Sequence, residues 1–225
     1  NNSIPSFKNG LSVSQSNQIL QIKGRSFSVK FDIEKGVLNS YIKNGDEIIQ
    51  SGPVPSFWRA PTDNDIGAGF NKSLRVWRNI YDSSNNTEHS IIEINKGLIQ
   101  VVLAKTLLNG DAKHSQVYSI YGDGSIKVEN KFEAIKGKYS LLLRAGNDLT
   151  LNGDFYNINW YGRGPGENYW DRKTNTFIGQ YAQTIDEQYY PYARPQESGN
   201  HTEVRWVSFS NSKGRKIKFI FNDRL

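Results

Sequence analysis

The sequence predicts an all-β protein, a large antiparallel β-sandwich. Three observations carry this. Short runs along almost the whole chain alternate apolar and polar residues with the period of two that a half-buried strand requires. Clusters of Gly, Asn and Asp separate the runs and read as turns. Only one segment has helical spacing. With 225 residues and no low-complexity linker, residues 1–225 read as a single domain long enough to bury a sizeable core. Residues 1–10 read as an extended tail or linker.

The elements follow in order. Residues 18–23 place Leu20 and Ile22 on one face, with Ile19, Gln21 and Lys23 on the other. Residues 26–32 oppose Phe27, Val29 and Phe31 to Ser28 and Lys30. Glu34-Lys35-Gly36 turns the chain into a strand over 37–43. Asn44-Gly45 is a hairpin signal, because the favoured two-residue turn needs positive φ at both central residues. It leads into residues 47–50. Further strands are expected at 90–95, 98–105, 116–121, 125–133, 139–143, 148–151, 156–161, 177–181, 204–210 and 216–221, with Gly122-Asp123-Gly124 as a second hairpin turn. Residues 72–81 are the one predicted helix. There Leu74, Trp77 and Ile80 share a side over about two turns.

Composition narrows the function. Aromatics make up 12% of the chain, with five Trp and twelve Tyr, which suits a β protein that handles carbohydrate. The net charge is +6, but basic and acidic residues interleave. The nearest basic run, Lys213 to Lys218, is interrupted by Gly214 and Ile217. It reads as protection of a strand edge, and no nucleic-acid partner is expected. No apolar run approaches the roughly 18 residues of a membrane span, so no membrane partner is expected either. Cysteine is absent, which excludes disulfides and thiolate metal sites and does not fix the compartment. The three histidines lack metal-ligand spacing, so no metal site is assigned. His89 and His114 sit in polar contexts and are expected at the surface. Methionine is also absent, so the chain reads as a processed form or a piece of a longer product.

Three motifs concentrate the polar chemistry. The first is Phe57-Trp58-Arg59-Ala60-Pro61-Thr62-Asp63-Asn64-Asp65-Ile66-Gly67. Pro61 and Gly67 bracket its acidic part, which is therefore expected as a shaped loop and not a helix. Aromatic faces stack on the C–H surface of a sugar, and short polar side chains bridge its hydroxyls. An Asx-rich turn that bonds its own backbone is the competing reading. The second motif is Trp160-Tyr161-Gly162-Arg163-Gly164-Pro165-Gly166-Glu167-Asn168-Tyr169-Trp170-Asp171-Arg172. Its glycines and proline make a tight irregular turn. Arg163, Glu167, Asp171 and Arg172 are expected in one compact ion-pair cluster, with Asn168 and Tyr169 in the same network. No following helix and no Walker lysine support a nucleotide loop. The third motif runs from Asp186-Glu187-Gln188-Tyr189 through Pro191-Tyr192-Ala193-Arg194-Pro195-Gln196-Glu197-Ser198-Gly199-Asn200 to His201. Arg194, Gln196, Glu197, Asn200 and His201 suit contacts to a sugar.

The three motifs, in this order, resemble the signatures of the C-terminal small-chain region, the fifth domain, of glycoside hydrolase family 2 β-galactosidases. The resemblance runs from about residue 11 to about residue 220. It implies a large two-sheet supersandwich similar to galactose mutarotase. It also implies that the domain normally continues past Leu225, so that the sandwich is truncated at its C-terminal end. In such enzymes the acid/base and nucleophile glutamates lie on a TIM barrel of the same polypeptide, so no catalytic residue is assigned here. The loop matching Asp63 to Gly67 lies by the substrate entrance and moves during turnover. This implies a gating or substrate-contacting role for Arg59, Asp63, Asn64, Asp65 and Gly67, with Gly67 supplying a positive φ. Trp58 and Arg59 also read as a core plug and its ion-paired lid. The implied partners are a galactoside substrate, the TIM-barrel domain and further copies of the full-length enzyme. The resemblance leaves room for Mg or Na in the full-length enzyme, and no cofactor is expected in this fragment. A stand-alone carbohydrate-binding module and a mutarotase-like sugar epimerase are the alternatives.

Overall fold

The computed structural model describes residues 10–81, 87–137 and 141–222. Residues 1–9 of the expected tail, residues 139 and 140 of an expected strand, and the chain end from residue 223 lie outside them. Every strand pair among the described residues is antiparallel. These residues form two compact units. The first holds the residues up to Trp58 and Ser73–Leu151, and the second holds Arg59–Lys72 and the residues from Asn152 onward.

In the first unit, alternation became burial. Strands β2 (Ile19–Lys23) and β3 (Phe27–Asp32) bury Leu20, Ile22, Phe27, Val29 and Phe31. Asn44 and Gly45 take φ of 53° and 88° and close the hairpin from β4 (Val37–Lys43) to β5 (Asp46–Glu47). The exposed strand β1 (Ser12–Ser16) completes a sheet in the order β1-β2-β3-β4-β5. Strands β7 (Thr87–Asn95), β8 (Leu98–Leu107), β9 (Ala112–Tyr121) and β10 (Ile126–Ala134) form a second sheet, ordered β10-β9-β8-β7. The Phe31 ring meets Tyr118 edge-on at 5.0 Å, so the inner faces of the two sheets pack as a sandwich. Each fully buried side chain there contributes roughly 1.5–3 kcal/mol. A two-stranded ladder joins β6 (Ile49–Ser56) to β11 (Gly146–Leu151), with bulges. Pro53 and Pro55 are tolerated in β6 because such irregular edges spare proline a ladder bond.

Three expectations change. Residues 72–81 are not one helix. A single turn, α2 (Phe70–Ser73), and a 3-10 turn at Arg75–Trp77 replace it. Leu74 supplies no side-chain cap bond, and a segment this short gains too little from its own backbone bonds to propagate. The apolar side chains are used all the same. Trp77, Ile80 and Tyr81 pack with Phe57, Leu107 and Ala112, and Trp58 and Leu74 lie against that cluster. His114 is not at the surface but 2% exposed. Because β9 begins at Ala112, His114 falls in phase with Gln116 and Tyr118 on the buried face. Burial pushes its imidazole down to about 4; the Lys105 charge adds to this and a bond to Asn130 opposes it. Lastly, residues 141–143 form no strand.

The second unit is a sheet ordered β13-β12-β14-β15, built from β12 (Asn157–Gly164), β13 (Phe177–Thr184), β14 (Trp206–Ser210) and β15 (Lys216–Ile220). Ile158, Trp160 and Val204 form its core, with Tyr181, Val207, Phe209 and Phe221 against them. Register decides where its loops go. Gly164 pairs with Phe177, so the second motif leaves and returns at the Gly164 end of β12. β13 finishes opposite Asn157, whereas β14 starts opposite Tyr161. The third motif must therefore travel back along the sheet to the end where the second motif emerges.

Candidate functional site

Glycine spacing brings the second and third motifs together. A Cβ on Gly162 would lie 2.8 Å from the Val204 Cα. Glycine there lets residues 202–205 run close beside β12, where Arg163 N donates to Thr202 O at 3.1 Å and Arg205 N to Tyr161 O at 2.8 Å. Asn168 then bolts the motifs together. It is fully buried, its Oδ1 accepts from the Thr202 amide and hydroxyl, and its own carbonyl accepts from Asn200 Nδ2 at 2.7 Å. A buried amide with each group bonded is rigid, because breaking any bond strands a polar group away from water.

The acidic part of the first motif is a helical turn, α1 (Asp63–Gly67), and not the expected loop. A capping box overrides the flanking Pro61 and Gly67. Thr62 Oγ1 accepts from the Asp65 amide at 3.2 Å, and Asp65 Oδ2 accepts from the Thr62 amide at 3.0 Å. Gly67 ends the turn without a positive φ; Gly69 takes that conformation, at 74°. The Thr62-x-x-Asp65 spacing was a legible signal for this turn. Asp65 is 5% exposed and receives Arg59 bidentately, at 3.1 and 3.0 Å. Burial pushes this carboxyl up, but the bonds from Arg59 and Thr62 outweigh it and hold it below the ordinary carboxylate range. Burial likewise pulls the Arg59 guanidinium down, while Asp65, Glu197 and Tyr169 together keep it raised.

Around this turn the three motifs converge. Arg59 Nε lies 3.6 Å from Glu197. The Asp63 amide donates to Gln196 Oε1 at 3.2 Å, and Gln196 Nε2 donates back to Asp63 Oδ2 at 3.1 Å. Arg194 lies 3.7 Å from Asp63. Asn64 Nδ2 donates to Asp171 Oδ2 at 2.9 Å. Asp171 sits in a turn closed by the Tyr169–Arg172 bridge. The Arg172 guanidinium stacks 4.5 Å from the Tyr169 ring, bonds the Tyr192 hydroxyl at 2.6 Å and pairs with Glu167 at 3.5 Å. Glu167 also accepts from Tyr192 and from the Gly199 amide. Burial raises the Tyr169 phenol, and Glu197 and Glu167 add to this against Arg172 and Arg59.

The expected cluster of Arg163, Glu167, Asp171 and Arg172 is therefore divided. Arg163 pairs with Glu203 and donates to Thr176 O. Asp171 turns to Asn64, and only Glu167 and Arg172 pair with each other. His201 packs its ring on Trp160 at 4.4 Å and bonds Gln188 at 2.8 Å. Burial lowers its imidazole, against a bond to the Arg163 backbone. Thr62, Thr202, Glu203 and Tyr192 also bond into this network, and no residue pattern in the sequence marks Thr202 or Glu203 for it. Among the described residues, no group of three His, Cys, Asp or Glu side chains could hold a metal ion.

The result is an antiparallel β domain whose loops, tied by paired carboxylates and amides, present Asp63, Asn64, Asp171 and Gln196 as polar surface. Such a chain belongs to the β-galactosidase small chain family, whose model matches residues 23–223. It is 36% identical over 205 residues to a β-galactosidase of Priestia megaterium, covering 91% of this chain and 20% of that protein. It is 33% identical to a β-galactosidase of Halalkalibacterium halodurans, covering 88% of this chain and 20% of the relative. A third, from Lactobacillus delbrueckii subsp. bulgaricus, is 34% identical over 87% of this chain and 19% of its own length. The chain thus spans about one fifth of the relatives it matches.

Proposed function

We propose that this chain is the C-terminal small-chain domain of a β-galactosidase that hydrolyses terminal non-reducing β-D-galactose residues. In this reading its α1 turn completes the substrate entrance beside a TIM-barrel domain of the same polypeptide. The observation that carries the proposal is the bonding of α1 to both other motifs, through Asn64–Asp171 and Asp63–Gln196. That array offers a sugar several donors and acceptors at fixed spacing. Asp65, held ionised by Arg59, is a brace and not a proton donor. The carboxylate pair that cleaves the glycosidic bond, roughly 5–5.5 Å apart in a retaining enzyme, belongs to the barrel.

The test is made in the complete polypeptide, with Asp63→Ala and Asn64→Ala assayed on a nitrophenyl β-galactoside. A lost hydrogen bond involving a charged group costs roughly 1.5–3 kcal/mol. Felt in the transition state, this lowers kcat/KM about ten- to a hundredfold. The melting temperature should move little, since Asp63 and Asn64 are exposed. Unchanged kinetics with a lowered melting point would defeat the proposal.

A further inference from the structure

Trp170 stands apart from the other tryptophans. It is 76% exposed, at the apex of the turn whose ends bond as Tyr169 N to Arg172 O and Arg172 N to Tyr169 O. A large indole in water at a turn apex adds nothing to the core and loses its hydrophobic gain. The turn beneath it is stiff. Arg172 is stacked on Tyr169 and anchored to Glu167 and Tyr192, and Asp171 is tied to Asn64. The ring itself is also held, with Lys173 Nζ 3.4 Å from its centroid. A cation on one face leaves the opposite face as an oriented flat apolar surface. The next residue in the chain, Asp171, carries a carboxylate held by the Asn64 amide at 2.9 Å. An exposed flat ring followed in the chain by a fixed carboxylate suits a pyranose, which has C–H groups on one face and hydroxyls around its rim.

We propose that Trp170 is the stacking platform of an outer sugar subsite that adjoins the Asn64–Asp171 pair. Its ligand is a neutral pyranose unit of an oligosaccharide, beyond the galactosyl residue whose bond is cleaved, and Asp171 accepts from one of its hydroxyls. The assignment to a unit beyond the galactosyl residue rests on the proposed β-galactosidase function; the stacking itself rests on the turn.

The test compares Trp170→Ala and Trp170→Phe with the parent complete polypeptide on two substrates: a nitrophenyl β-galactoside, which lacks further sugars, and a β-galactosyl trisaccharide. The ratio of the trisaccharide KM to the nitrophenyl KM should rise about three- to tenfold in Trp170→Ala, the loss of one aromatic stack. Trp170→Phe should restore most of it, with kcat for the trisaccharide following neither change. A ratio within about twofold of the parent overturns the subsite. If the complete polypeptide hydrolyses neither compound, the β-galactosidase reading falls. The subsite is then decided by saturation-transfer NMR with the same trisaccharide. Transfer lost in Trp170→Ala supports it, and equal transfer in parent and variant overturns it.

Discussion

Two short helical pieces close together in sequence are held in opposite ways. The α1 turn is fixed by directional bonds: its own capping box, the Arg59–Asp65 pair and the links from Asp63 and Asn64. The Arg75–Trp77 turn has no side-chain cap bond and is fixed by burying Trp77 among Phe57, Leu107 and Ala112. A segment held by burial can change only at the expense of the fold. A segment tethered through exposed hydrogen bonds, as α1 is at Asp63 and Asn64, can be altered there while the core stays intact, which suits it to meet a ligand.

The largest expected effect breaks the apolar side of this comparison. Trp77→Ala should cost about 3–5 kcal/mol, the usual loss for removing a buried aromatic side chain. Denaturant titration reads it directly. A loss under about 1 kcal/mol would mean that the cluster tolerates collapse and does not set the stability of its unit.

An intermediate effect separates the two regions by pH. His114 lies in the apolar cluster, with its ring 5.7 Å from both Phe57 and Tyr81. Its folded value of about 4 is below the ordinary 6.5. The unfolded chain therefore takes the proton first, and the stability present above pH 6.5 drains as pH falls toward 4. Asp65 is also depressed, from 3.8, but because its charged form is paired. Its contribution is intact above about pH 4 and is lost only at lower pH. Melting temperatures across this range should decline in two stages. His114→Gln should flatten the first stage and leave the second. A decline between pH 6.5 and 4 that persists in that variant would assign it to other groups.

The same contrast governs what could be read in the sequence. Leu20, Ile22, Phe27, Val29 and Phe31 were legible because each strand presents a single apolar face, and alternation reports that face without tertiary information. The burial of His114 is hidden in the sequence because the clear alternation starts only at Gln116, whereas β9 begins at Ala112. β1 gave no signal, since Ser12–Ser16 is exposed on both faces and is held by ladder bonds to β2 alone. In the site, the residue types of the three motifs were legible but their partners were not. Arg163 has several carboxylates near it in sequence, yet it bonds Glu203, which the return of the third motif along β12 brings to it. Pairing of that kind follows from register, and register between distant segments is not written in either segment. The capping box is legible in the spacing of Thr62 and Asp65, and it outweighs the loop signal of Pro61 and Gly67.

The smallest expected effect sharpens the polar side. Asp171→Ala removes the acceptor for Asn64 and leaves the capping box, Arg59 and Gln196 in place. The bond is exposed, and exposed charged contacts are worth about 0–1 kcal/mol, so global stability should change by less than about 0.5 kcal/mol. The local consequence is larger in proportion. Ile66 N bonds Thr62 O and Ala68 N bonds Asn64 O, both at 3.0 Å, and these amides report opening of α1. With one of its tethers gone, their hydrogen exchange should quicken about twofold, the kinetic equivalent of a few tenths of a kcal/mol. The Trp77 amide, bonded to Leu74 O at 3.1 Å, should exchange as before, because it opens only with its apolar cluster. Equal acceleration at Ile66 and Trp77 would show that the two pieces open together, and no change at Ile66 would show that Asp171 does not restrain the turn.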